Sequence, residues 1–304
     1  MSSVVTANMR ERFGDQIQEN ILLAPYTSAR IGGPADILVT VRNSDELFSV
    51  AQACWDADLP FTLIGAGSNI LVSDNGIRGL VILNKAKASD FRSNVGPIAW
   101  AESGVVLSNL AHRSAAQGLT GLEWAATVPG TVGGAVYGNA GAFGSDVAHN
   151  LLRAEILTES GRAWWPVEKM EYSYRSSRLK HNAEKVIILS AEFRLEIGST
   201  EIIKATIDKF TSSRKASQPP GASMGSMFKN PAGDFAGRLI ESCGLKGTRI
   251  GNAEISTIHA NFIITNGATR AADVQALILL VQKTVKEKFD VALELEVELI
   301  GEWK

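Results

Sequence analysis

Phe61-Thr62-Leu63-Ile64-Gly65-Ala66-Gly67-Ser68-Asn69 runs an apolar strand directly into a loop of small residues. A strand that empties into closely spaced glycines presents backbone N–H groups with no side chain in front of them, the arrangement that receives phosphate. Around this exit the pattern alternates between β and helix. A strand near Ile37 to Val41 precedes a helix that Ser44 can cap, with Leu47, Val50, Ala51 and Cys54 on one apolar face. After the strand Phe61 to Ile64, the turn Asp74-Asn75-Gly76 leads into a further strand, Leu80 to Leu83. Upstream, Met9, Phe13, Ile17 and Ile21 recur every four residues, the stripe of a short packing helix.

Downstream the glycines return. A helix between Val105 and Gly118, with Leu107, Leu110, Ala111 and Ser114 inward and Gly118 as its stop, leads towards the run Gly130-Thr-Val-Gly133-Gly134-Ala-Val-Tyr-Gly138-Asn139-Ala-Gly141-Ala142-Phe-Gly144. Six glycines in fifteen positions without a charge imply close backbone approach to something flat or phosphorylated. Two specific nucleotide motifs fail. Ile70 stands where a dinucleotide fingerprint needs its third glycine, and neither run contains the Gly-Lys-Ser/Thr of a P-loop.

The remainder reads as antiparallel strands over residues 153 to 195, ending in Val186 to Leu189 and the alternating Ala191, Phe193 and Leu195. A boundary near Glu196 to Ser199 follows, then a helix with Ile203, Ile207 and Phe210 on one face and a longer one with Val274, Leu277, Ile278, Val281 and Val285. The last strand alternates Val291, Leu293, Leu295, Val297 and Leu299 against Glu294, Glu296 and Glu298.

Between the two later helices lies Gly225-Ser226-Met227-Phe228-Lys229-Asn230-Pro231, a hydroxyl, an ammonium and an amide held in a constrained turn. Gly221-Ala-Ser223-Met-Gly225 matches a nucleophile elbow, but Pro219-Pro220 cannot belong to a central strand entering it. Ser226 to Lys229 matches S-x-x-K, and Ser73-Asp74-Asn75 supplies an S-D-N, yet their order is wrong and no K-T-G exists. Tyr174-Arg175-Ser-Ser-Arg178-Leu-Lys180 is either a solvated edge or a cationic clamp for an acidic substrate, and Glu296 is either one of three solvated carboxylates or a site residue.

The chain of 304 residues, 45% hydrophobic, suffices for two or three compact units. With 30 basic and 32 acidic residues, net charge −2, nothing in the total suggests nucleic acid or a membrane surface as partner. Cys54 and Cys243 form no C-x-x-C, and His112, His149, His181 and His259 show no metal spacing, so no metal is expected. Met1 to Asn20 carries no apolar signal segment and no run reaches membrane-spanning length, which makes a reducing, cytoplasmic setting the default.

Together these segments resemble one family, the flavin-dependent UDP-N-acetylenolpyruvoylglucosamine reductases of peptidoglycan synthesis. The similarity is carried in order by Thr27-Ser-Ala-Arg30-Ile-Gly32-Gly33-Pro34-Ala-Asp36, Gly65 to Leu71, Pro129-Gly130-Thr-Val-Gly133-Gly134-Ala135, Asn139 to Gly144, Tyr174-Arg175, Gly225 to Pro231, Leu239-Ile240-Glu241, His259-Ala-Asn261-Phe262 and Leu293 to Val297. The resemblance implies an α+β protein: a two-part flavin-binding fold of the vanillyl-alcohol-oxidase (PCMH) type followed by a smaller α+β substrate-binding domain. The implied division is 1–84, 85–198 and 199–304. It implies FAD held by Gly65, Ala66, Gly67, Ser68, Asn69, Ile70, Pro129, Gly130, Gly133, Gly134, Asn139, Gly141 and Ala142, with NADPH as co-substrate. It further implies reduction of the enolpyruvyl ether of UDP-N-acetylglucosamine by a monomer. Arg175 and Glu296 would stabilise the enolic intermediate, Ser226 would protonate it, and Tyr174, Lys229 and Asn230 would contact the UDP-sugar. A flavin-binding module without this activity and a serine acyl-transfer enzyme are the alternatives. The short spacing from Lys180 to Val186 is similar to the subclass without a tyrosine lid loop. Gly138 and Leu295 stand where the family more often has a bulky residue and a proline.

Overall fold

The computed structural model describes residues 9–92, 96–181 and 185–303. The first eight residues and residues 182–184, part of the short spacing after Lys180, lie outside the described residues.

The first sheet contains β1 (Ile17–Leu22), β2 (Pro34–Val41), β3 (Phe61–Ile64) and β5 (Ile77–Asn84), in the order β1-β2-β5-β3. β2 and β3 both run parallel to β5, and β1 is antiparallel to β2. Because a parallel strand is covered on both faces, β5 reads as an unbroken apolar run from Leu80 to Leu83 and all four side chains are buried. Leu80 and Ile82 point to the side covered by helix α1 (Ser44–Asp56), which delivers Leu47, Val50, Ala51 and Cys54 as its spacing predicts. Val81 and Leu83 face the other side, against Leu23, Leu38 and Ile64. The cap is not Ser44. Asn43 accepts the N–H of Glu46, while Ser44 Oγ donates to Leu189 O and Glu102 Oε1, tying the helix to the second sheet.

The second sheet is antiparallel and takes β6 (Ser89–Arg92), β7 (Ile98–Glu102), β8 (Leu151–Thr158), β9 (Gly161–Pro166) and β10 (Ile187–Arg194) in the order β9-β8-β10-β7-β6. Helices α2 (Leu107–Ala116) and α3 (Val132–Gly138) close one face over Ala99, Ala154 and Phe193. Helix α4 (Thr200–Ser217) buries Ile203 and Ile207 in this same core, with Phe210 packed beside them. The apolar stripe of α4 thus finds its partners in the second core.

The third core is built from helices α5 (Ala236–Ser242) and α6 (Ala271–Phe289) on the small sheet β11 (Arg249–Ile250), β12 (Ala253–Ile255) and β13 (Ile263–Thr265). Two sequence expectations fail on geometry. The stripe Met9, Phe13, Ile17, Ile21 is a helical turn over 9–13 followed by β1, so its period of four spans two elements. The alternating Val291 to Leu299 is not one strand either. Only β14 (Glu298–Ile300) is regular, and it pairs in parallel with β4 (Ile70–Val72) of the first unit.

Candidate active site

The loop from Gly65 to Asn69 joins β3 to β4. Among the described residues, the backbone N–H groups of Gly65, Ala66, Gly67 and Ser68 find no hydrogen-bond acceptor, and the loop is partly open to solvent. Four neighbouring free donors without bulky side chains suit a diphosphate. Gly67 holds φ at +62°, and its carbonyl accepts the N–H of Ser28 at 3.0 Å, which pins the loop from behind.

The second glycine run behaves differently. A Cβ on Gly65 would lie 2.5 Å from Thr131 Oγ1, and one on Gly130 would lie 2.9 Å from Ser68 Oγ, so the two runs abut along a seam. The N–H groups of Val132 and Gly133 donate to the carbonyls of Val105 and Ser103 at 2.8 Å, and that of Gly134 to Thr131 Oγ1 at 3.4 Å. The first turn of α3 is thus occupied by protein. Gly133 is demanded by Ser103 and Gly141 by the backbone of Ser145 and Asp146, so these glycines answer to close packing within the chain. Asn139, in left-handed conformation at the end of α3, is buried with its amide fully engaged: Nδ2 donates to Asp146 Oδ2 and Ser173 O at 3.1 Å, and Oδ1 accepts the N–H of Ala148 at 3.0 Å. Its side chain is a strut. The open space at Gly138, where the nearest atom to an added Cβ is Lys180 Cε at 3.8 Å, explains why a larger residue fits there.

That strut supports a tight hairpin. Ser173 and Ser176 exchange N–H···O bonds of 3.1 Å, leaving Tyr174 and Arg175 at the tip, and Arg175 takes φ +55°. The hydroxyls of Tyr172 and Ser177 donate to the carbonyls of Val136 (2.8 Å) and Tyr137 (2.6 Å), satisfying the otherwise orphan carbonyls that end α3. Burial pushes the Tyr172 phenol above its ordinary range, so it stays a donor.

From this tip Arg175 reaches across 121 positions of sequence to Glu296. Nε lies 2.9 Å from Oε1, yet the N–H is not aligned on it, and among the described residues buried Nε makes no hydrogen bond. The contact leaves a donor free for another acceptor. Glu296 is 18% exposed, and burial pushes its carboxyl up, opposed by the charges of Arg175, Lys180 and Lys229. It is not on a solvated face. Lys180 Nζ pairs with Glu298 at 3.0 Å and Lys229 Nζ with Glu294 at 3.3 Å. With its ammonium on Glu294, Lys229 has a partner other than Ser226, which argues against S-x-x-K acylation. Arg214, missed in the sequence, joins this group: burial and the charge of Arg175 lower its pKa. Its signal was a cation continuing the buried stripe Ile203, Ile207, Phe210 of α4.

Ser226 lies on a short segment gripped from two sides. Lys229 N–H donates to Glu294 O and Glu296 N–H to Met227 O, both at 2.9 Å. Leu295 uses no N–H in this pairing, so a proline would cost no hydrogen bond of the bridge at its position. Asn230 Oδ1 accepts the N–H of Ala236 at 3.1 Å, fixing the start of α5. Asn69 closes the circle from the glycine loop: its Nδ2 donates to Glu296 O at 2.9 Å and its carbonyl accepts Glu298 N–H at 3.0 Å. Arg175 and Glu296 are thus in contact, the Ser226 segment is hydrogen-bonded to the Glu296 backbone, and the free N–H loop is strapped to that same backbone through Asn69.

Known proteins match this layout. The FAD binding domain family model matches residues 35–165, and that of the UDP-N-acetylenolpyruvoylglucosamine reductase C-terminal domain matches residues 216–300. A relative from Chloroflexus aggregans named UDP-N-acetylenolpyruvoylglucosamine reductase is 42% identical over 298 residues, 96% of this chain and 100% of its own. The chain belongs to the UDP-N-acetylenolpyruvoylglucosamine reductase family. Another member of this reductase family, from Bacillus cereus, is 44% identical over 92% of this chain and 93% of its own. The crystal structure of the Thermus caldophilus reductase superposes with a TM-score of 0.79 at 35% identity, covering 92% of this chain and 97% of that one. The reductase family fixes the class of chemistry: the protein is an FAD-dependent oxidoreductase of α+β fold. Among the described residues no helix is long and apolar enough to cross a membrane, and no cluster of His, Cys, Asp or Glu could hold a metal.

Proposed function

We propose that this protein reduces the enolpyruvyl ether of UDP-N-acetylglucosamine to the lactyl ether of UDP-N-acetylmuramate, with NADPH as reductant. Support comes from the relatives' names and from one observation: the Arg175–Glu296 contact is tied through the backbone to both the Ser226 segment and the free N–H loop. Bound FAD, with NADPH as the source of its electrons, would supply a hydride for the β-carbon of the enol ether. The residues Gly65 to Ser68 would hold the cofactor through their free N–H groups. Addition at the β-carbon places negative charge on the α-carbon and its carboxylate, and Arg175, with an unsatisfied Nε–H, stabilises that charge. Glu296, favoured in its neutral form by burial, donates a hydrogen bond to the same enolate. Ser226 delivers its proton to the α-carbon and recovers one from solvent. Tyr174, Lys229 and Asn230 contact the UDP-sugar.

Anaerobic stopped-flow separates the two halves of the cycle. NADPH is expected to bleach the flavin and the enolpyruvyl substrate to restore its colour; reduced enzyme that the substrate cannot reoxidise defeats the proposal. Ser226→Ala is expected to leave bleaching within about twofold and slow reoxidation by about 10²- to 10⁴-fold, the range for a lost general acid. Equal slowing of both halves removes Ser226 from the proton-donor role.

A further inference from the structure

Three hydrogen bonds to Ser226's own segment come from one residue, Asn261. Its backbone carbonyl accepts Met227 N–H at 2.8 Å. Its side chain grips Phe228 on both backbone groups, with Oδ1 accepting Phe228 N–H at 2.9 Å and Nδ2 donating to Phe228 O at 2.8 Å. Asn261 is 3% exposed and Phe228 2%, so no water substitutes for these bonds. The amide thus serves as a missing strand rung, on the side of the segment opposite Glu294 and Glu296. The backbone N–H of Asn261 donates to His259 Nδ1 at 3.2 Å, and Ser226 pairs with Phe262 next to it, so the Asn261 backbone is held on both sides.

We infer that Asn261 is a positioning residue for the proposed proton transfer: its amide sets the register of the 226–229 segment against the Glu296 backbone, and so the place from which Ser226 reaches the α-carbon. This rests on the proposed function. Only an amide can fill this role, because Phe228 offers a donor and an acceptor side by side and the group facing it must supply the complement of each. Aspartate keeps the shape and the acceptor but sets an oxygen against the Phe228 carbonyl; alanine leaves both backbone groups unpaired in a dry core. Among the described residues Asn261 makes no hydrogen bond to the glycine loop, which meets this segment through Asn69 on the Glu296 carbonyl, so the free N–H groups of the loop are expected to keep the flavin in either variant.

The experiment compares Asn261→Asp and Asn261→Ala with the wild type in both anaerobic half-reactions, alongside flavin content and amide hydrogen exchange. Full flavin content, bleaching by NADPH within about twofold and reoxidation slowed by about 10²-fold in both variants are expected, the loss typical of a misplaced reacting group. Faster exchange at Glu296 in both variants, and at Phe228 in Asn261→Ala, which loses the acceptor, is expected to accompany it. Unchanged reoxidation, equal loss in both halves, or unchanged exchange at Phe228 and Glu296 overturns the inference. A wild type that the substrate fails to reoxidise sinks the proposed reaction instead, and exchange at those amides still decides the positioning.

Discussion

Glu296 is pulled in two directions. Withdrawal from water favours its neutral form, while Arg175, Lys180 and Lys229 favour the charged one, and burial wins. A carboxyl whose folded-state pKa lies above its unfolded value binds its proton more tightly when folded. Its contribution to stability is therefore complete below the unfolded pKa and is lost as pH rises through the folded one. The same titration removes the hydrogen-bond donor, so reoxidation by substrate is expected to decline as pH rises through that raised pKa. Glu296→Gln is expected to slow reoxidation about 10- to 100-fold and to flatten this decline. Urea melts across pH are expected to show the variant gaining on the wild type as pH rises. A decline that survives in the variant assigns it to another group. Arg175 complements this behaviour, held at φ +55° at a hairpin tip, a conformation a non-glycine residue keeps only where its surroundings impose it.

At the scale of elements, the sequence was most legible where one element met one core. The face Leu47, Val50, Ala51, Cys54 and the strand Phe61–Ile64 emerged as read. It misled where periodicity ran across a junction. Ile17 and Ile21 continue the spacing of Met9 and Phe13 but belong to a strand, and Val291 to Leu299 alternates although its backbone changes partner from the Ser226 segment to β4. The glycine runs were half legible. Close approach was a correct reading, but what most of these glycines approach is the chain itself, which no composition reveals. Gly65→Ala tests this directly. Its Cβ would come 2.5 Å from Thr131 Oγ1, and overpacking of about 1–3 kcal/mol is expected at the seam. FAD titration of the purified variant is expected to show affinity weakened about tenfold, with the melting temperature of the flavin-free form changed less. Wild-type affinity would detach the seam from flavin binding.

At the scale of the molecule, the three units are welded by shared residues. Leu157, Ile187 and Leu189 of the second sheet complete the core under α1, and Ala29, Ile31 and Leu71 of the first unit enter the third core. Asp74 adds a cap in trans: its two carboxylate oxygens accept the N–H groups of Ala271 and Ala272, the first residues of α6, at 2.8 and 3.0 Å. Asp74→Ala is expected to cost ~1 kcal/mol, a typical cap, and to speed amide exchange at the start of α6 before that in β5. Uniform exchange across both would mean that the cap stabilises no local boundary. The pairing of β4 with β14 carries a different consequence, one of timing. Asn69, Ser73 and Asn75 bond to Glu296 and Glu302, contacts closed across 227 to 229 residues. During synthesis the glycine loop is made early and waits for nearly the whole chain before its support arrives. A nascent chain halted before residue 296 lacks both β14 and the Glu296 carbonyl on which Asn69 holds the glycine loop, so assembly of the third unit itself gates completion of that loop.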